Sequence, residues 1–115
     1  MKLGDVKKVL DAKVFTEFSY EDREVHSACG ADMMSDVLAS YSEDKGLLLT
    51  GLNNQQVVRT AEMIDVFCII FVRGKEPDPA VVKLAEEKEI VVMMTGHTMY
   101  TACGLLYAAG LPGGE

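Results

Sequence analysis

The sequence predicts an α/β fold: one layered domain with a mainly parallel central sheet flanked by helices. Three observations carry this. Three short apolar runs, at residues 46–51, 66–72 and 90–94, show no polar alternation, as strands buried on both faces do. A segment of helical periodicity follows each run. Each junction holds Gly, Asn, Thr or Pro, residues that turn a chain and open a helix. At 115 residues, one core and one domain over residues 1–115 are expected.

The elements follow in order. Leu3, Val6, Val9 and Leu10 recur at helical spacing and place a helix over residues 2–10. Residues 12–16 read as a short strand, 19–23 as a turn, and 24–29 as a second strand broken by Gly30. These two strands form an expected N-terminal hairpin that either packs on the sheet or swaps into a neighbour. Met33, Met34, Val37 and Leu38 share one stripe of a helix starting near Asp32. After the strand at 46–51, residues 54–64 form a helix with Val57, Val58, Ala61 and Ile64 inward.

The run at 66–72 is rich in β-branched and aromatic residues, hence a buried central strand. Asp78 suits the N-cap and Pro79 the first helical position of the next helix. There Val81, Val82, Leu84 and Ala85 face the core, and Glu86, Glu87 and Lys88 face water. Residues 98–109 form the last helix, with Gly110 at C′ and Leu111 as the hydrophobic C″ residue. The chain thus divides into a helix/strand/helix portion (1–45) and a βαβαβα portion (46–111) with right-handed crossovers.

Composition narrows function. Eleven basic against 18 acidic residues give a net charge of −7, which repels phosphate backbones and anionic lipid, so no nucleic acid and no membrane partner is expected. No apolar run reaches the roughly 20 residues that span a bilayer, and no signal-peptide stretch follows Met1. A cytoplasmic location is the expectation. Cys29, Cys68 and Cys103 are odd in number and form no metal knuckle, which reads as reduced, structural thiols. His26 and His97 belong to no zinc-binding spacing, so no metal is expected.

In a parallel sheet, ligands bind outside the carboxyl ends of the strands. Three loops converge there: Thr50-Gly51-Leu52-Asn53-Asn54, Val72-Arg73-Gly74-Lys75-Glu76-Pro77 and Thr95-Gly96-His97-Thr98. Each leads into a helix N-terminus, where free N–H groups favour an anion. The candidate ligand-binding residues are Asn53, Asn54, Arg73, Gly74, Lys75, Thr95, His97 and Thr98. A plainer reading stands beside this one. Asn53 or Asn54 caps the following helix, Thr95 or Thr98 caps the last one, and Arg73 and Lys75 are merely solvated.

Histidine is the commonest acid–base side chain at neutral pH, so His97 could serve as an acid–base group, but no neighbouring carboxylate in sequence orients it. Asp32 and Asp36 share a helix face at i, i+4 but lack a third metal ligand, so capping and solvation are the expected roles. The pairs Met33-Met34 and Met93-Met94 read either as flexible core filling or as an adaptable partner surface. No phosphate loop, dinucleotide fingerprint or nucleophile elbow is present. The residues name no catalytic group and no cofactor.

The second half resembles a DRTGG domain. The carrying residues are Leu49-Thr50-Gly51, the run from Ile69 to Gly74 with Pro77-Asp78, Leu84-Ala85-Glu86-Glu87, and Thr95-Gly96-His97-Thr98. The start is similar to stand-alone members through Lys2-Leu3 with Val6 and through Gly30-Ala31-Asp32-Met33-Met34-Ser35-Asp36-Val37-Leu38-Ala39. The likeness therefore covers nearly the whole chain. Two positions depart from the family pattern. The signature Asp-Arg would fall near Leu52-Asn53, and Val72-Arg73-Gly74 stands where Thr-Gly-Gly is expected. A family ligand site built on those residues is not carried over.

The resemblance implies a fold similar to the N-terminal domain of HPr kinase/phosphorylase. It implies a regulatory role, since such domains accompany phosphotransacetylases and CBS-containing pyrophosphatases, and it implies dimers. With no catalytic constellation in the residues, the expected function is a non-catalytic regulatory or protein-interaction module, homodimeric, with a partner enzyme or regulatory protein as a further candidate partner. The alternative is a small-ligand sensor that binds an adenine nucleotide or similar anion at the three loops. An enzyme using His97 is the remaining class.

Overall fold

The structure, a computed structural model, describes residues 1–39 and 46–113. The expected division of the chain at residue 45 lies outside the described residues. The elements in order are α1 (Leu3–Leu10), β1 (Lys13–Val14), β2 (Ser27–Gly30), α2 (Met34–Ala39) and β3 (Gly46–Thr50). Then come α3 (Gln55–Met63), β4 (Cys68–Phe71), α4 (Pro79–Glu87), β5 (Val91–Met94) and α5 (Met99–Ala108).

The strands form one five-stranded sheet in the order β1-β5-β4-β3-β2. β2, β3, β4 and β5 run parallel, and β1 pairs antiparallel with β5. The predicted mainly parallel sheet is thus present, with the expected strand, β4, at its centre. The first two strands do not form a hairpin: they lie on opposite edges of the sheet. A tight turn cannot span that distance, and residues 15–26 instead cross the end of the sheet. Val25 is buried there, and the backbones of Lys2 and Glu24 pair in an isolated antiparallel β-bridge.

Side-chain alternation divides the core in two. Leu47, Leu49, Cys68, Ile70, Val91 and Met93 face one side, beneath α1 and α5, where they meet Leu3, Val6, Leu10, Ala102 and Leu106. Leu48, Ile69, Phe71 and Val92 face the other, beneath α2, α3 and α4, where they meet Val37, Val57, Val58, Ala61, Val81 and Ala85. Successive neighbouring strands joined by crossovers of one hand place their helices on one face, which is where α2, α3 and α4 lie. Both faces are covered, so the strands need no polar alternation.

Close approach explains one glycine. A Cβ on Gly30 would meet Cys103 Sγ at 2.8 Å and Met99 Sδ at 3.0 Å, so the bare backbone of β2 lets α5 sit down on it. The stripe expected on α2 is only half right: Met34 and Val37 are buried, whereas Met33 and Leu38 are exposed. The second methionine pair is split less sharply, with Met93 buried and Met94 half-buried. Cys29, Cys68 and Cys103 form no disulfide with one another. Burial pushes the Cys68 thiol up to about 12, against a smaller opposing pull from Arg23. Among the described residues, no helix is long and apolar enough to cross a membrane.

Candidate functional site

The register brings the three strand tips together. Thr50 lies opposite Phe71, and Phe71 opposite Met94, so the loops that follow β3, β4 and β5 start side by side. α4 then leaves toward one face and α5 toward the other. Diverging helices of this kind open the crevice in which α/β sheets hold ligands.

Here the chain's own backbone stitches the crevice. The Arg73 N–H donates to His97 O at 2.7 Å and the Gly74 N–H to Thr95 O at 2.8 Å. To make these bonds, residues 73 and 74 adopt φ of 62° and 67°, the left-handed region. Glycine takes that conformation readily, and a side chain at the first position costs about 1 kcal/mol. The two glycines of the Thr-Gly-Gly pattern would fall at these positions.

The candidate residues divide by what their side chains touch. Asn54 is the N-cap of α3, its Oδ1 accepting the Val57 N–H at 3.3 Å. Asn53 is a clamp. Its Nδ2 donates to Glu76 O at 2.9 Å, and its Oδ1 accepts the Asp78 N–H at 3.0 Å. Thr98 caps α5 by accepting the Thr101 N–H at 3.4 Å. Thr95 is fully buried and donates to Leu10 O at 2.7 Å, which ties the end of β5 to the end of α1. Lys75 Nζ donates to Gly51 O at 3.0 Å. Asp78 holds the N-cap position of α4 as expected but makes no side-chain cap bond.

Arg73 and His97 are the exceptions. Arg73 is exposed, and its guanidinium crosses over Gly51, where an added Cβ would come within 2.5 Å of it. His97 is half-buried, and its backbone N–H reaches Thr95 Oγ1 at 3.4 Å. Among the described residues, no carboxylate is hydrogen-bonded to its ring, and no group of acidic, His and Cys side chains is arranged to hold a metal.

Sequence reasoning undervalued Asp32. Its Oδ1 accepts the Gly51 N–H at 2.7 Å and the Thr50 hydroxyl at 3.4 Å, so it fixes the loop after β3. The signal is strand register. Gly30 pairs with Leu49, which sets Asp32 opposite Gly51, but spacing along the chain does not reveal that pairing. The tips therefore form a platform of four loops, with two cations, Arg73 and Lys75, folded over Gly51 at its surface.

No curated protein matches the chain. Among solved structures, it is similar to the CBS and DRTGG domains of the regulatory region of Clostridium perfringens pyrophosphatase, determined with the activator diadenosine tetraphosphate. The identity is 22% and the TM-score 0.74 over 96% of this chain, which shows a shared fold. The chain spans 47% of that structure's length. The model of the DRTGG domain matches residues 5–109. With that match over nearly its whole length, and with the strand order and tip loops described above, the chain belongs to the DRTGG domain family.

Proposed function

We propose that the chain is a non-catalytic regulatory or protein-interaction module, acting in the cytoplasm as a homodimer and folded as one domain. One observation carries this reading. The polar groups at the strand tips, where an α/β enzyme would place its chemistry, bond to this chain's own loops. Asp32, Asn53, Asn54, Thr95 and Thr98 each hold a backbone group in place. Family membership supports a regulatory role, as does the likeness to a pyrophosphatase regulatory region. A module of this kind acts through a surface, in contact with a partner enzyme or regulatory protein. Sedimentation velocity at micromolar concentration tests the dimer: two chains together are expected, and a clean single chain of 12.6 kDa with no partner captured in a pull-down removes the reading.

One specific observation favours a second reading, a sensor of an adenine nucleotide or similar anion. Arg73 and Lys75 bring two positive charges to one loop of a chain whose net charge is −7, beside the N-terminus of α3. The pyrophosphatase regulatory region was solved with a dinucleoside tetraphosphate. A nucleotide at 100 times its dissociation constant raises stability by about 2.7 kcal/mol, a shift that thermal unfolding resolves. A panel including ATP and diadenosine tetraphosphate is the probe. A shift lost in Arg73→Ala supports the sensor, and no shift across the panel removes it.

A further inference from the structure

The chain has no Asp, Glu, Lys or Arg from Thr95 to Gly113, although such residues make up 25% of the whole. α5 lies in that stretch. Ala102 and Leu106 are its inward, buried residues. Its outer face shows Tyr100, 89% exposed, and Tyr107, 73% exposed, with Gly104 and Ala108 also in solvent. Positions 100, 104, 107 and 108 fall on one side of a helix. The other helices wear charge outward: Lys7 and Lys8 on α1, Asp36 on α2, Arg59 and Glu62 on α3, Lys83 and Glu87 on α4. A helix apolar all round is normally covered on both sides.

Building on the homodimer reading above, we infer that this face of α5 docks a second copy of the chain, helix against antiparallel helix, about a two-fold axis near Gly104. In such an interface the same patch meets itself, so it must be self-complementary. Two copies of a chain with net charge −7 repel wherever charged surfaces of one sign meet. An uncharged face escapes that repulsion, and among the described helices α5 alone offers one.

The order of residues fits the symmetry. Tyr100 precedes Gly104 by one turn and Ala108 follows it by one turn. Across an antiparallel pair, Tyr100 of each copy therefore lies over Ala108 of the other. Nothing stands within 4 Å of a Cβ added at Gly104, so the two backbones can approach closely there. Tyrosine supplies a large apolar ring to the contact while its hydroxyl stays at the wet rim.

The test is sedimentation velocity on the full chain and three variants. Tyr100→Glu and Gly104→Arg place charge on the proposed contact. Met63→Glu, at a site 72% exposed on α3, is the control on the opposite face. Wild type and Met63→Glu are expected to sediment as two chains, and both α5 variants as one, with association weakened about a hundredfold or more. Tyr100 is exposed, so its variant retains the wild-type circular dichroism and unfolding midpoint. A wild-type dimer that survives both α5 variants overturns the assignment of this face and leaves the homodimer intact. A wild-type chain that sediments alone overturns both.

Discussion

Asp32→Ala isolates the contact that holds the loop after β3. The carboxylate accepts the Gly51 N–H at 2.7 Å and the Thr50 hydroxyl at 3.4 Å. Gly51 is buried while Asp32 is exposed, so water replaces the lost oxygen only in part. A hydrogen bond to a charged group contributes about 1.5–3 kcal/mol, and partial hydration points to the low end, roughly 1.5 kcal/mol. For a domain of this size that lowers the unfolding midpoint by about 6 °C. Urea unfolding at neutral pH measures it, with the slope on denaturant unchanged because the same surface is exposed. Asp32→Asn keeps an acceptor oxygen and loses only the charge, so it should forfeit about half as much. Asp32→Ala within about 0.5 kcal/mol of wild type, the range of ordinary surface changes, would refute the reasoning. So would an Asn variant no more stable than the Ala one.

The remaining predictions concern other parts of the tip platform and the core. Thr95→Val keeps the shape of a fully buried side chain but strips Leu10 O and the His97 N–H of their partner, and should cost about 1–3 kcal/mol in equilibrium unfolding; a neutral result contradicts the link between β5 and α1. Arg73→Gly relieves the left-handed backbone at residue 73 and should leave stability unchanged or raise it by up to about 1 kcal/mol; a clear loss would show that the guanidinium over Gly51 holds the loops together. Cys68 gives a pH test. Burial raises its pKa from 9.0 to about 12, so above pH 9 the unfolded chain releases a proton that the folded chain keeps. Its contribution is therefore complete below pH 9 and is lost as pH climbs toward 12, by roughly 1 kcal/mol per pH unit. Cys68→Ala should flatten the alkaline limb of the stability curve by that slope, and parallel curves would contradict the assignment.

The parts of the fold legible in the sequence are those whose signal is local. The strands at Leu47-Leu48-Leu49, Cys68-Ile69-Ile70-Phe71 and Val91-Val92-Met93 are apolar on both faces because helices cover both faces, so an unbroken apolar run was enough to find them. Asn54 and Thr98 cap helices for reasons contained within three residues of chain. Residues 12–16 and 24–29 also read as strands, but where they sit in the sheet depends on partners distant in sequence. β1 contributes only Lys13 and Val14, and it is a strand because Met93 and Met94 lie beside it. β2 lies at the far edge, paired with Gly46 to Leu49.

The same division runs through the candidate site. The convergence of the three loops followed from parallel strands. The jobs of Asn53, Thr95 and Asp32, which grip backbone groups 25, 85 and 19 residues away, did not. Met33 and Leu38 fit a core stripe by spacing, yet α2 is short and lies over the edge of the sheet beside β2, where only Met34 and Val37 reach the interior.

The central physical claim is that the strand tips are locked to one another by this chain's own polar groups. Amide hydrogen exchange, read residue by residue, tests it most directly. The N–H groups of Gly51, Arg73, Gly74 and Asp78 each donate to an acceptor on another loop or on Asp32, at 2.7–3.0 Å. They should exchange about as slowly as the amides of β3 and β4, although Arg73, Gly74 and Asp78 lie on exposed loop residues. Exchange at the rate of an open loop would mean that the platform is unlatched in solution, and the tips would again be free for chemistry or for a ligand.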